Sequence, residues 1–164
     1  MIIFSCFMLG LRTKKCRFLR VDELENLFSC MTVLEKEISY SLCEIEPAMK
    51  KLIEYSIYTN KEIFTGVQKK LELSEGKPLS QIWRDVVNEC RSSGCYLKED
   101  IEVINQFGNV LGSGDVDTQI KNIDIFKTKL KEKIESAKQT AEKTGNLSFK
   151  IGLYAGIGLV IFII

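Results

Sequence analysis

The sequence contains no histidine, and this absence removes the commonest general base and a common zinc and iron ligand. Its six cysteines include no CxxC pair, so zinc-finger and zinc-ribbon spacings are absent as well. Only two prolines occur in 164 residues, whereas 45% of the residues are hydrophobic and 27% are charged. This composition is typical of one folded domain and excludes disordered and collagen-like chains. We expect no catalytic residues, no metal site and no cofactor.

A net charge of +1 hides an uneven layout along the chain. Residues 1–20 carry five basic residues and no acid, and residues 121–150 carry eight lysines, so both ends are basic and the centre is acidic. Four of those lysines form a basic stripe, Lys127, Lys129, Lys131 and Lys133. The stripe approaches an apolar C-terminal run, so we expect it to be solvated or lipid-facing, and we expect no nucleic-acid partner.

That apolar run, residues 151–164, contains no charged residue. At about 1.5 Å per residue it reaches roughly 21 Å, short of the ~30 Å hydrocarbon core unless residues 147–150 join it. We predict a transmembrane helix over 147–164, and a buried core helix is the alternative. Gly152 and Gly156 form a GxxxG step, which indicates either packing of this helix against another membrane helix or plain lipid-facing glycine.

The first eleven residues are also apolar but too few to cross a bilayer as a helix. A basic cluster within residues 12–20 follows them, and lysines precede the C-terminal run, so the positive-inside rule predicts a cytoplasmic middle. The charges follow the apolar stretch, unlike those of a signal peptide, which disfavours secretion. The predicted organisation is a short apolar and basic juxtamembrane segment (1–20), a cytoplasmic helical domain (21–146) and a C-terminal transmembrane helix (147–164).

Between the ends, apolar residues recur every three or four positions, and no strand pattern competes. This spacing predicts an all-α antiparallel bundle of about six helices. The first is expected over 22–45, the second from Pro47 and the third from Asn60. We expect Ser80 to cap the fourth, with Trp83 as a core anchor. Glu99 and Asp100 open the fifth as ordinary dipole-compensating acids, and Asp115 or Asp117 caps the sixth.

Two cysteines, Cys90 and Cys95, flank a short turn. They form either a disulfide across that turn or reduced thiols, and reduced thiols are the expected state in a cytosolic chain.

The segment FGNVLGSGD at residues 107–115, with glutamine at 119, joins the last two predicted helices. It lacks the lysine and the serine or threonine that a phosphate-binding loop requires, and its acidic residues place negative charge where a phosphate would bind. We expect Gly108 to allow close helix contact, Gly112 or Gly114 to form a left-handed C-cap, and Gln119 to satisfy a loop carbonyl. The segment is either a structural turn or a partner-docking site, for which the candidate residues are Phe107, Gly108, Leu111, Gly112, Asp115 and Gln119.

The chain resembles the stage III sporulation protein AB family from about residue 24 to residue 164. The fragments that carry the resemblance are LEKEISY at 34–40, IW at 82–83 after a proline and a serine, FGNVLGSGD with its following glutamine, and the glycine-bearing apolar terminus. Members usually open with a complete membrane helix, so here the first helix is either truncated or the start codon is misplaced.

The resemblance implies a non-enzymatic, membrane-anchored platform in the channel between mother cell and forespore. It also implies a soluble part similar to the cytoplasmic domains of the type II secretion F platform protein, and partners among other channel proteins, including an AA-type secretion-like ATPase. The implied location is the mother-cell membrane facing the forespore. The alternative function is a peripheral helical module that binds lipid or a partner helix.

Overall fold

The computed structural model describes residues 2–41, 45–73, 76–112 and 114–163, with side chains described within 15–39, 47–73, 76–112 and 114–143. All regular structure in these ranges is helical, which confirms the all-α prediction. The helices are α1 (Ile2–Ser41), α2 (Ile45–Tyr55), α3 (Tyr58–Leu73), α4 (Leu79–Cys90), α5 (Lys98–Gly108) and α6 (Val116–Ile163).

Two long helices, α1 and α6, form the spine of the bundle and make its most extensive contact. They run antiparallel, because Lys127 lies 2.7 Å from Glu35 while Lys138 lies 2.7 Å from Glu25. The short helices α2 to α5 pack each on its neighbour in chain order. We call the end at which residue 15 of α1 and residue 143 of α6 lie the tail end. The opposite end, where residues 109–115 join α5 to α6, is the turn end.

The core lies where the predicted apolar stripes face one another. On α1 the stripe of Leu24, Leu27, Met31 and Leu34 is at most 2% exposed. Trp83 is 1% exposed and donates its indole N–H to the Ile104 carbonyl at 2.9 Å, so it is the predicted core anchor. Trp83 belongs to an aromatic series that crosses four helices, and its members are Phe64, Trp83, Phe107 and Phe126.

Several helix boundaries differ from the predictions. The first helix begins at Ile2 rather than at residue 22 and ends at Ser41, so it passes without a break through the expected juxtamembrane segment. Ser80 does not cap α4, because Pro78 occupies the N-cap position and no side chain caps the helix there. Proline suits that end because its missing N–H is one that a helix start leaves unpaired.

Within the part of the chain that the structure describes, none of the helices is both long and apolar enough to cross a membrane. The transmembrane prediction is therefore not supported by these residues. The side chains of the apolar segments 1–11 and 147–164, including Gly152 and Gly156, lie outside the described residues.

The basic stripe of α6 was predicted to be solvated or lipid-facing, and Lys129 and Lys131 are exposed while Lys127 and Lys133 are half-buried. Lys127 pairs with Glu35 and lies 5.6 Å from the centre of the Phe28 ring, while Lys131 lies 5.5 Å from the same ring. The other two stripe lysines reach Gln106 and Glu99 of α5 at 3.1 and 3.3 Å. The stripe lysines therefore reach partners on α1 and α5 from the surface of α6.

Candidate partner-docking site and buried polar cluster

The turn between α5 and α6 has the local geometry that its sequence predicts. Gly112 and Gly114 have φ angles of 75° and 81°, in the left-handed region that favours glycine. Because α5 ends at Gly108, Gly112 lies in the loop rather than in the predicted helix C-cap. Gln119 donates to the Gly114 carbonyl at 3.4 Å, as expected of a side chain that satisfies the loop.

Asp115 is the N-cap of α6, since its Oδ1 accepts the Thr118 backbone N–H at 3.0 Å. Hydrogen bonds from the side chain and the backbone of Thr118 lower the pKa of Asp115 below its ordinary value. The carboxylate is exposed and charged, so it presents a fixed negative group at the turn end.

Burial divides the six candidate docking residues into two sets. Phe107, Gly108 and Leu111 are buried in the folded protein. Gly112 and Asp115 are exposed and Gln119 is half-buried. The second set is the part of the candidate site that solvent reaches at the turn itself.

The buried set positions the turn. The Phe107 ring stacks on Phe126 with centroids 4.4 Å apart and lies edge-on to Trp83 at 5.8 Å. Gly108 lies against the Trp83 indole so closely that a Cβ at this position would meet the ring. The close contact expected of Gly108 is therefore present, and it brings α5 directly onto α4.

An open groove of about 240 Å³ lies beside the turn, between α5 and α6. Ile125 is 48% exposed at its edge. The residues that line the groove are Val103, Gln106, Phe107, Val110, Asn122, Ile125, Phe126 and Lys129. Sequence analysis did not find this groove. The sequence feature that could have indicated it is Ile125, an apolar residue of α6 that lies outside the core-facing apolar positions of that helix.

A buried ion pair, which sequence analysis also missed, joins α1 to α5. Arg20 donates from Nε to Asp100 Oδ2 at 2.7 Å and from Nη2 to Oδ1 at 2.8 Å, a bidentate arrangement. Asp100 also accepts the Leu97 N–H at 2.9 Å. Arg20 had been grouped with the basic juxtamembrane cluster, and Asp100 with ordinary first-turn acids. The sequence could have indicated the burial of Arg20, because Arg20 lies on the same face of the helix as Leu24 and Leu27.

Next to this ion pair, Glu23 of α1 accepts hydrogen bonds from the first turn of α3 and from the α4–α5 turn. Its carboxylate accepts the Thr59 hydroxyl at 2.5 Å and the Cys95 N–H at 3.2 Å. Its carbonyl accepts the Asn60 amide at 2.8 Å. The Tyr96 hydroxyl lies 2.7 Å from Asn60 Oδ1, and burial, reinforced by Glu23, raises its pKa well above the ordinary value. The cluster thus holds the first turn of α3 and the α4–α5 turn onto α1.

The disulfide in the described part of the chain joins Cys16 to Cys95, so the alternative of a Cys90–Cys95 disulfide was wrong, and the expected reduced state holds for Cys90 but not for Cys95. Cys90 is a half-buried free thiol on α4. Burial, and then the charges of Glu62 and Glu89, raise the pKa of that thiol. Sequence spacing favoured the near pair, whereas the antiparallel packing brings α1 alongside the α4–α5 turn.

Among the described side chains, no three acids or cysteines come together in an arrangement that could hold a metal ion. The polar side chains that do converge are satisfied by one another at the tail end.

These observations define an all-α protein whose described part consists of two long helices, one at each end, and four short helices between them in the sequence. The family model for stage III sporulation protein AB matches residues 1–164, and the chain belongs to that family. Stage III sporulation protein AB of Bacillus subtilis (strain 168) is 22% identical over 162 residues, which cover 99% of this chain and 94% of the relative. A solved structure of stage III sporulation protein AB is similar, with a TM-score of 0.69 and 22% identity, over 76% of this chain and 97% of that one.

Proposed function

We propose that this sporulation-family protein is a non-enzymatic, membrane-anchored platform of the channel between mother cell and forespore. Its anchor would be the pair of apolar segments at the two ends of the chain, and its body would lie in the cytoplasm. Its partners would be other channel proteins, including an AA-type secretion-like ATPase, and membrane lipid.

The observation that carries the anchor is the antiparallel register of α1 and α6. The pairs Glu35–Lys127 and Glu25–Lys138 show that each step back along α1 is matched by a step forward along α6. If this register is extended, Cys16 lies at the level of about residue 146. Both helices continue past that level in the same direction, α1 back to Ile2 and α6 on to Ile163. Their continuations are the two apolar ends of the sequence. Two apolar helices side by side would bury more surface in lipid than either could alone.

Fractionation of the full chain after carbonate treatment tests the anchor. We expect it to stay with the membrane pellet, and a variant lacking both residues 1–11 and residues 147–164 to move to the supernatant. Release of the full chain by salt alone would instead support the peripheral lipid- or helix-binding module. Replacing Gly152 and Gly156 with leucine, and measuring helix association in a membrane two-hybrid assay, tests whether the GxxxG step packs against another helix.

The turn end supports the platform role because of where it lies. From Val116 to about residue 146, α6 would extend roughly 45 Å at 1.5 Å per residue, which would hold the turn far from the lipid surface. There the turn presents the Asp115 carboxylate, Gln119 and the neighbouring groove with Ile125. An exposed apolar residue beside fixed polar groups suits a protein partner in the aqueous phase.

Pull-down of the channel ATPase tests this docking surface. We expect a double variant, Asp115→Ala with Gln119→Ala, to lose the ATPase while its circular dichroism stays helical. Asp115→Asn separates the two roles of the carboxylate, because asparagine still caps a helix but carries no charge. Asp117→Ala, in the same helical turn, is the matched control and should bind normally. Full ATPase binding by the double variant would reject this site.

A further inference from the structure

The disulfide between Cys16 and Cys95 ties α1 to the α4–α5 turn at the tail end. Their Cα atoms are 5.5 Å apart, within the ordinary range for a disulfide, although 79 positions separate them in the sequence. Both residues are half-buried, so a reagent in solution can reach them. We propose that Cys16 and Cys95 are a reversible redox pair whose oxidation locks the α4–α5 turn onto α1.

Contacts other than the disulfide keep the two sulfurs close when they are reduced. The Cys95 N–H donates to Glu23 at 3.2 Å, and Tyr96 is anchored to Asn60 at 2.7 Å. Arg20, one helical turn after Cys16, holds Asp100 at the start of α5. These contacts hold the two cysteines near each other without the covalent bond, so the disulfide can open and close without refolding of the bundle.

The other two cysteines with described side chains are poor competitors for an oxidant. Cys30 is fully buried, and burial raises the pKa of its thiol to about 11. Cys90 is close to Cys95 in sequence but lies in α4, where burial and two glutamates raise its pKa. Since the thiolate is the reactive form, both are disfavoured as attacking groups.

The oxidant we invoke is a disulfide of the glutathione or thioredoxin class. One thiolate of the pair attacks it, forming a mixed disulfide and releasing one thiol. The second thiolate then attacks the mixed disulfide, forming the Cys16–Cys95 bond and releasing the other thiol. The pair loses two electrons and two protons, and the oxidant gains both as two thiols. Cytosolic disulfides are usually transient, which fits a pair that cycles.

The proposal does not depend on the membrane anchor, and oxidised glutathione tests it directly. The full chain in detergent is treated with it and then alkylated, and the labelled cysteines are identified by peptide mass spectrometry. We expect Cys16 and Cys95 to become protected together while Cys90 stays open to labelling, and dithiothreitol to restore labelling of both. Cys90→Ser should keep the protection of Cys16 and Cys95. In Cys16→Ser, no intramolecular crosslink to Cys95 should form at position 16.

Three outcomes of the labelling experiment would overturn the proposal. One is unchanged labelling of Cys16 and Cys95 in treated wild-type chain. Another is a crosslink between Cys90 and Cys95 in place of the observed pair. The third is protection that the reductant cannot reverse.

The locking part of the proposal has its own readouts. Trypsin sites at Arg91 and Lys98 are exposed on either side of the turn. We expect oxidation to slow cleavage there and to raise the melting temperature by roughly 5–15 °C, since the crosslink closes a long loop in a chain of this size. Formation of the crosslink with no change in either readout would show that the bond does not lock the turn.

Discussion

Gly108 shows how a single residue sets the spacing of two helices. The position of its missing Cβ falls on the Trp83 indole, which is itself 1% exposed and cannot move into solvent. Any side chain here must push α5 away from α4, and this would also disturb the stacking of Phe107 on Phe126.

We therefore expect Gly108→Ala to lower the free energy of unfolding by about 1–3 kcal/mol, the usual cost of overpacking. Urea denaturation measures it. Glu102→Ala, on the exposed face of the same helix, is the control and should change stability by less than about 0.5 kcal/mol. Equal stability of Gly108→Ala and the wild type would show that the indole can give way.

The buried thiol of Cys30 makes the free energy of unfolding depend on pH in the alkaline range. In the folded protein burial raises its pKa to about 11, from an ordinary value of 9.0. As the pH rises through this window, the unfolded chain releases the thiol proton first, so the unfolded state is favoured progressively. The contribution of Cys30 is fully present below pH 9 and is lost towards pH 11.

We expect this group to remove about 2–3 kcal/mol of stability between those two pH values. Urea denaturation at pH 8, 9, 10 and 11, compared between wild type and Cys30→Ala, measures it, because the difference between the two removes the contribution of lysines and tyrosines. A constant difference across the series would contradict the prediction.

At the scale of the elements, the first helix differs most from its sequence-based description. The expected boundary near residue 21 vanishes because Arg20 is not a solvated charge. It is 7% exposed and bound to Asp100, and this fastens α1 to α5. A periodic apolar pattern cannot show such a pair, because the two partners are 80 positions apart.

Asp100→Asn leaves the Arg20 guanidinium buried with no anionic partner. We expect it to cost about 3–5 kcal/mol of stability, as is usual when one member of a buried ion pair is removed. Replacing both residues, with Arg20→Met and Asp100→Leu, should recover most of the loss. The exposed pair Lys133–Glu99 is the matched control, and Glu99→Gln should cost less than about 1 kcal/mol. A double variant no more stable than Asp100→Asn would argue that the charges themselves stabilise the bundle.

At the scale of the whole molecule, residues 15–143 contain an extensive core. Its buried hydrophobic residues run from Val21 to Ala141, and the polar cluster and the disulfide lie within the same range. We expect this core to be large enough to fold by itself.

We expect a fragment of residues 15–143 to fold by itself, with a single cooperative urea transition and a helical circular dichroism spectrum. Analytical ultracentrifugation should show it free of aggregates without detergent. A broad transition, or aggregation that detergent alone relieves, would mean that the terminal segments are part of the folding unit.

The sequence left Asp115 and Asp117 as alternative caps of α6. It did predict the helical fold, about six helices, the core position of Trp83 and a left-handed glycine in the α5–α6 turn. These follow from periodicity and local backbone geometry, which involve residues a few positions apart. The tertiary structure was needed to show that Arg20 pairs with Asp100, that Cys16 bonds Cys95, that the α6 lysines reach partners on α1 and α5, and that half of the docking candidates are buried. Each of these depends on which helices become neighbours, and that choice joins residues too distant in the chain for any local pattern to relate them.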